Sequence, residues 1–409
     1  MKIKLEEFPN YSELKILSEA LLKNGDELRL VGGCVRDYLK KESISDIDLA
    51  CKYLPNKTIH ILNKKNIKAL PTGIKHGTIT AIINGKNFEI TTLRIDKNTD
   101  GRHAEVEFTD DFLLDAKRRD FTINAMSIDF SGKLYDYFNG KKDLENSEVK
   151  FIGDAQTRIN EDYLRILRFF RFSCYYAKNL DNEGLNACAE LKDQLTNLSS
   201  ERIKNELIKI LNCNHRNNLS LVLNEMLKNG ILKKIFRQPN DDLSLFKNLL
   251  FFEEKLEENS NYLLRFATII YNQDNWLKIA QHLRFSNQEI NYLKAILKPD
   301  FIINPEVTQN DLDEIMFDYN RKIIIDNLIF YLVKNKIDDQ KIAKFFSLIN
   351  LILTRELNKF PLNGNDLLAF KIQPKKIGYL LKIGRRYWIE NNYLPNSSQI
   401  MEFIKNHIC

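Results

Sequence analysis

Asp46 and Asp48 stand with one residue between them, a short way after the run Val31-Gly-Gly-Cys-Val-Arg-Asp37. On a strand, residues i and i+2 share one face. The two carboxylates then point the same way, and they repel each other unless a cation lies between them. Oxygen ligands of this kind suit Mg²⁺ together with substrate phosphates. Gly32 and Gly33 follow an apolar run, where a bare backbone can approach a phosphate, and the next helix would aim N–H groups at it. Glu89 can add a third carboxylate from a neighbouring strand. Metals held this way activate a hydroxyl and stabilise a leaving pyrophosphate. A lone Asp-x-Asp is also a common solvated strand face; the glycine turn upstream tips the reading toward phosphate chemistry.

Two further clusters extend that chemistry. Residues 118–126 read RRDFTINAM. Guanidinium groups match phosphate oxygens two at a time, and Asn124 can hydrogen-bond a ribose hydroxyl or a phosphate. The bland alternative is an exposed basic helix start above a buried Phe121 and Met126. Residues 161–168 read EDYLRILR. On a helix, Asp162 and Arg165 are neighbours at i, i+3. A carboxylate accepts from an exocyclic amine, and a guanidinium donates to ring nitrogens and carbonyls. The pair can therefore read cytosine or adenine, since neither G nor U offers an amine beside a ring acceptor in that pattern. The alternative is a surface ion pair.

The elements that must position these residues fall into two textures. Up to about residue 140, short strands mix with helices. Residues 28–33 predict a strand ending in a glycine turn, 35–41 a helix, and 47–51 a second strand. Residues 55–64 predict a helix opened by Pro55. Residues 78–83 and 88–93 predict a hairpin about Asn84-Gly85. After about residue 155 the strand signals almost vanish. Residues 161–176, 200–211, 219–228 and 342–353 carry apolar residues at helical spacing. The expected fold class is α+β: a head with a small mixed β-sheet, then an all-helical remainder.

Composition sets the outer limits. A hydrophobic fraction of 44% is ample for packed cores, and 28% charged residues suit a protein in water. The net charge of +6 permits a polyanionic partner without requiring one. Cys34, Cys51, Cys174, Cys188, Cys213 and Cys409 form no CxxC pair and no zinc spacing, so thiols in a reducing compartment are expected. The first residues, MKIKLEE, put acids where a secretory segment needs an apolar core. No apolar run has the ~20 residues of a spanning helix. The expected location is cytoplasmic, with no membrane role. Six His without a His-Asp dyad or HxxxH spacing give no support to a phosphohydrolase domain. Residues 371–386 carry six Lys/Arg and no acid, a run that could track phosphates or be a solvated helix face.

Taken in order, several stretches resemble the class II tRNA nucleotidyltransferase and bacterial poly(A) polymerase family. They are GGCVRD (32–37), DIDLA (46–50), HGT (76–78), ITTLRID (90–96), RRDFTINAM (118–126), DYFNGKKDL (136–144), EDYLRILRFFRF (161–172) and SSERIKNEL (199–207). The resemblance is dense over residues 28–211, with a weaker echo at 364–367 and 374–382. It implies a nucleotidyltransferase head (1–145), a helical neck that recognises the nucleobase (146–212), and a helical body and tail that bind RNA (213–409). It implies that Asp46 and Asp48 bind the metal, with Glu89 beside them as a catalytic carboxylate. Gly32, Gly33, Arg36, Arg118, Asp120 and Asn124 would contact sugar and triphosphate. Asp162 and Arg165 would stand in for a template, with Arg168 near the triphosphate. The implied partners are the 3′ end of tRNA, CTP and ATP, with no obligate protein partner.

Two departures bear on the product. Tyr163 stands where the family usually has proline. His103-Ala104 stands where an arginine-proline-like loop is common, within the loop 95–108 that the family uses to switch between C and A addition. That loop keeps Asp100 and Arg102. Poly(A) synthesis, CC-only addition and A-only addition stay open beside full CCA addition. So does a different class, a helical RNA-binding protein with an inactive head, which the presence of Asp46, Asp48 and Glu89 argues against.

Overall fold

The structure is a computed structural model that describes residues 2–23, 25–97, 105–236, 242–256, 261–271, 274–335, 339–369 and 374–407. It divides into two compact units. One comprises Met1–Pro239 with His282–Arg284, the other Asn240–Gln281 with Phe285–Cys409.

The first unit begins as the α+β head. Its strands are β1 (Leu28–Val31), β2 (Asp48–Cys51), β3 (Lys68–Gly73), β4 (Thr78–Ile83), β5 (Lys86–Thr92), β6 (Arg94–Lys97), β7 (Glu105–Phe108), β8 (Ser127–Asp129) and β9 (Leu134–Tyr135). Seven of them form one sheet in the order β3-β4-β5-β2-β1-β8-β9, while β6 and β7 pair separately. Only β2 and β5 run parallel within the large sheet, so the sheet is mixed as expected. β1 is central and wholly buried, which is why its sequence LRLV is nearly all apolar. The β4–β5 hairpin turns at Asn84 (φ 50°) and Gly85 (φ 77°), the left-handed pair that a tight two-residue hairpin requires.

The helices of this unit are α1 (Tyr11–Leu21), α2 (Gly33–Lys40), α3 (Pro55–Lys64), α4 (Phe112–Lys117), α5 (Gly140–Glu145), α6 (Ala155–Glu161), α7 (Arg165–Tyr176), α8 (Asn182–Glu190), α9 (Ser200–Leu211), α10 (Arg216–Lys228) and α11 (Ile231–Phe236). From α5 to α11 the described residues hold no strand, matching the loss of period-two patterning. The predicted single helix over 161–176 is two helices: Asp162 caps α6 with extended backbone (φ −152°, ψ 108°), and α7 starts at Arg165.

Phe121, Phe151, Phe169 and Phe172 lock α7 onto the head. Phe151 stacks on Phe169 at 5.6 Å, and Phe121 meets Phe151 at 4.8 Å and Phe172 at 5.3 Å. Such ring pairs contribute beyond their buried area. A short backbone clip reinforces them, with Thr122 N donating to Lys150 O and Ile152 N to Asp120 O. It presses residues 120–124 against α7.

The second unit is helical throughout its described residues. Its C-terminal core gathers Leu362, Leu367, Leu380, Trp388, Ile389, Ile400, Met401 and Ile404. The basic run 371–386 lies on helix Pro374–Glu390, apart from residues 371–373, which fall outside the described residues. Arg385 pairs with Asp318 at 2.6 Å, and Arg386 pairs with Asp311, Glu314 and Glu390. These acids come from another helix or from beyond the run, so much of its charge is met within the unit. Lys375, Lys376 and Lys382 are exposed.

Candidate active site

The carboxylates gather at the start of β2 and the middle of β5. β2 opens with Asp48, and parallel pairing sets Asp48 beside Glu89 of β5. Both are exposed while their successors Leu49 and Ile90 are buried, so the two acids share the open face. Asp46 lies just before the strand, not in it. β1 turns away into α2 at Gly32, leaving no strand on that side for Asp46 to join. Although the residue keeps an exposed edge, the protein around its carboxylate displaces water and raises the Asp48 pKa, and the charges of Glu89 and Asp46 add to this against the opposing pull of Arg119. A nearby cation would relieve that strain. Among the described residues, no three Asp, Glu, His or Cys side chains enclose a metal unaided. A cation here would complete its shell with phosphate and water oxygens, as Mg²⁺ commonly does.

The glycine turn is built as its sequence requires. Gly32 has φ 73° and ψ −125°, and a Cβ there would sit 2.8 Å from Arg119 Nη1. Cys34, next to it, is buried, and burial pushes its thiol up to about 12. It is therefore no nucleophile at neutral pH. Arg36 donates to both Asp37 oxygens, at 2.8 and 3.0 Å, and to Asn124 Oδ1 at 2.5 Å. Its guanidinium lies 4.3 Å from the Tyr176 ring centre, and the Tyr176 hydroxyl donates to Asp37 at 2.9 Å.

The RRDFTINAM stretch supplies the opposite wall. Arg118 and Arg119 both pair with buried Asp115 of α4, at 2.8 and 3.3 Å. Burial alone would raise the Asp115 pKa, but the charges of Arg119 and Arg118 hold it low. Asn124 donates to Asp120 Oδ1 at 3.1 Å. Arg94 is pushed down from the usual arginine value by burial and then by the adjacent Arg118 charge, and its buried Nε makes no hydrogen bond. Crowded guanidiniums of this kind favour an anion.

The expected i, i+3 pairing of Asp162 with Arg165 is not what forms. The break between α6 and α7 separates them. Arg165 is buried and donates to Glu161 at 2.6 Å, to Arg158 O at 2.9 Å and to Arg118 O at 3.0 Å. Asp162 instead accepts from Arg202 of α9, at 2.9 and 2.8 Å. Local spacing favours i, i+3 only within a continuous helix. Both side chains nevertheless line one cavity.

That cavity has a volume of about 570 Å³ and is lined by Gly32, Gly33, Arg36, Asp48, Arg94, Asp96, Arg118, Arg119, Asp120, Asn124, Asp162, Leu164, Arg165, Arg168, Phe172 and Arg202. Seven arginines face four aspartates there, which suits a polyphosphate. Asp46 lines an adjoining cavity that shares Gly33, Arg36, Asp48 and Phe172, and Glu89 lines another that shares Asp48, Arg94, Arg118 and Arg119. The candidate catalytic, metal and nucleotide-binding residues, Asp46, Asp48, Glu89, Gly32, Gly33, Arg36, Arg118, Asp120, Asn124, Asp162, Arg165 and Arg168, thus all line this cavity or the two adjoining it. Arg94, Asp96, Arg119, Phe172 and Arg202 were not singled out, although each lies in a stretch that carried the family resemblance. Asp100, Arg102, His103 and Ala104 of the loop lie outside the described residues; its flanks form the β6–β7 ribbon.

Comparison with known proteins shows what the chain as a whole is similar to. A family model described as the poly A polymerase head domain matches residues 28–150. Another, described as the probable RNA- and SrmB-binding site of polymerase A, matches residues 179–243. The mitochondrial CCA tRNA nucleotidyltransferase 1 of Mus musculus is 36% identical over 99% of this chain and 93% of its own length. The CCA-adding enzyme of Oceanobacillus iheyensis is 30% identical over 93% of this chain and 94% of its own. In fold, the chain is similar to the Bacillus stearothermophilus CCA-adding enzyme solved with CTP, with a TM-score of 0.76 at 23% identity over 98% of each chain. The chain belongs to the CCA-adding tRNA nucleotidyltransferase family.

Proposed function

We propose that this chain adds C and A nucleotides from CTP and ATP to the 3′ end of tRNA, releasing pyrophosphate. The observation that carries this reading is the single cavity in which Asp48, the arginine wall and the pair Asp162/Arg165 meet. The names of its relatives, CCA tRNA nucleotidyltransferase and CCA-adding enzyme, point to the same acceptor and nucleotides.

In this reading the incoming base lies against Asp162 and Arg165, and its triphosphate runs past Arg118, Arg168 and Arg36 toward the glycine turn. Asp120 and Asn124 orient Arg168 and Arg36. The acceptor 3′-oxygen forms a bond to the α-phosphorus as the bond to the bridging oxygen breaks. Asp46 and Asp48 would hold a divalent cation, Mg²⁺ in our proposal, which would supply hydroxyl activation and charge neutralisation when bound. Glu89, alongside Asp48, adds a carboxylate at the reacting end. No nucleic-acid template is needed, because protein side chains present the complementary edge.

The head, neck, and body and tail assignment (1–145, 146–212, 213–409) is part of the proposal. It is supported by the last strand ending at Tyr135 and α5 at Glu145, and by the segment from α6 to α9, which carries Asp162 at the α6–α7 break, Arg165 and Arg168 on α7 and Arg202 on α9. No helix among the described residues is long and apolar enough to cross a membrane. We propose a cytoplasmic site of action. The described cysteines are buried thiols, which suits a reducing compartment.

Poly(A) synthesis is the second reading, favoured by the head-domain match. Product sequencing decides between them on three acceptors: tRNA lacking CCA, tRNA ending in CC, and an unstructured oligoribonucleotide. CCA on the first and A on the second support our reading. Long A tails on the third, with no CTP used on the first, overturn it.

A further inference from the structure

Asp162 is not held by a helix. It sits at the break between α6 and α7, where its backbone is extended and its side chain has no helical turn to lie against. Two groups fix its carboxylate: the Leu164 N–H, which donates to Oδ1 at 3.1 Å, and Arg202 Nη2, which lies 2.9 Å from Oδ1 and 2.8 Å from Oδ2. Arg202 reaches in from α9, which packs on α7, and it lines the same cavity. Arg165 and Arg168 also line that cavity, and Asp162 is near enough to Arg168 to act on its charge.

We propose that Arg202 is a positioning residue for base selection, holding the Asp162 carboxylate in the one orientation that reads an exocyclic amine. An ionised carboxylate only accepts hydrogen bonds, at about four lone-pair sites. Arg202 and the Leu164 amide occupy three of them. One remains for a ligand in the cavity that Asp162 lines. A base with a carbonyl oxygen in place of the amine then sets acceptor against acceptor, which a buried site rejects strongly. Without Arg202 the carboxylate is free to turn toward Arg165 or Arg168. That movement would both blunt rejection of U and G and occupy the guanidinium edge that the correct base needs. Glu161 does the corresponding work for Arg165, so the two readers are held apart by separate partners.

The inference rests on Asp162 and Arg165 being the base readers, and the test separates the two claims. Single-nucleotide incorporation on tRNA lacking CCA is measured for CTP, UTP, ATP and GTP with Arg202→Ala, Arg202→Lys and Asp162→Ala, alongside thermal denaturation. Arg202→Ala is expected to lower the CTP-over-UTP ratio of kcat/KM about tenfold, with Arg202→Lys restoring part of it through a point charge. A merely structural role would lower all four rates together and leave the ratio unchanged. If Asp162→Ala shifts the ratio and neither Arg202 variant does, the positioning role is overturned while the base readers stand. If Asp162→Ala leaves the ratio unchanged, the base-reading assignment falls and this inference with it.

Discussion

Asp120 Oδ2 lies 2.6 Å from both Nε and Nη2 of Arg168, so one carboxylate oxygen ties the loop after α4 to the first turn of α7. Burial opposes ionisation of Asp120, yet the charge and hydrogen bonds of Arg168 outweigh it and hold its pKa below the ordinary aspartate value. A depressed carboxylate stabilises the fold above its unfolded pKa of about 3.9, and that contribution is lost as pH falls through the folded value. Arg168→Met is expected to reverse the sign, because burial then outweighs the hydrogen bond from Asn124 and the more distant Arg165 charge and raises the Asp120 pKa. The variant is expected to be about 3 kcal/mol less stable at pH 7 and to recover stability as pH is lowered from 7 toward 5. Denaturant melts across that range check this; a variant whose deficit is constant with pH contradicts it.

Asp48 carries the opposite strain, since burial and the charges of Glu89 and Asp46 raise its pKa. Asp48→Asn removes that repulsion. It is expected to abolish incorporation while leaving the melting temperature unchanged or higher, the usual exchange of function for stability at an active site. Asp46→Ala is likewise expected to abolish incorporation in a folded protein. Near-normal turnover in both variants would sink the catalytic assignment.

Gly32 adopts a positive φ directly under Arg119. Gly32→Ala should destabilise by about 1–3 kcal/mol through backbone strain and displace the Arg119 guanidinium. The measurable result is a raised KM for every nucleotide triphosphate alike, since the triphosphate and not the base is affected. A rise confined to one nucleotide would argue against a phosphate role for this turn.

Arg165→Ala removes one base reader. Discrimination against UTP and GTP should fall by about 1–3 kcal/mol, read as ratios of kcat/KM. Because Arg165 also braces Glu161 and two backbone carbonyls, its melting temperature should fall too. Lower stability with unchanged selectivity would mean that the residue is only a brace.

Much of this was legible in the sequence because it is local. Asn84-Gly85 marks a tight hairpin, Pro55 opens α3, and apolar spacing delimits α9, each by interactions within a few residues. The break at Asp162 was not legible. The run Asp162-Tyr-Leu164 contains no glycine or proline, and the apolar period continues across it, so helical spacing predicted a single element. The partner of Asp162 was hidden for a related reason. Arg202 lies on another helix, and nothing in the spacing of residues 161–168 can indicate which cation arrives from α9. The i, i+2 reading put Asp46 on one strand with Asp48, just ahead of the predicted 47–51, because alternation ignores where a neighbouring strand stops. The alignment of Asp48 with Glu89 depends on a parallel pairing that only the assembled sheet defines.

Hydrogen bonds run from Tyr176 to Asp37, on to Arg36, Asn124 and Asp120, and back to Arg168, leaving α7 near its end and re-entering it two turns earlier. A helix fastened at two points cannot pivot about either. The glycine turn and the start of α7 therefore form a single jaw, with phosphate and base held on one rigid ruler. Admitting a purine after a pyrimidine cannot come from swinging one part of that jaw against the other. The adjustment has to come from pieces outside the fastened loop: the unwound step at Asp162–Leu164, or the β6–β7 ribbon that brings Asp96 to the rim.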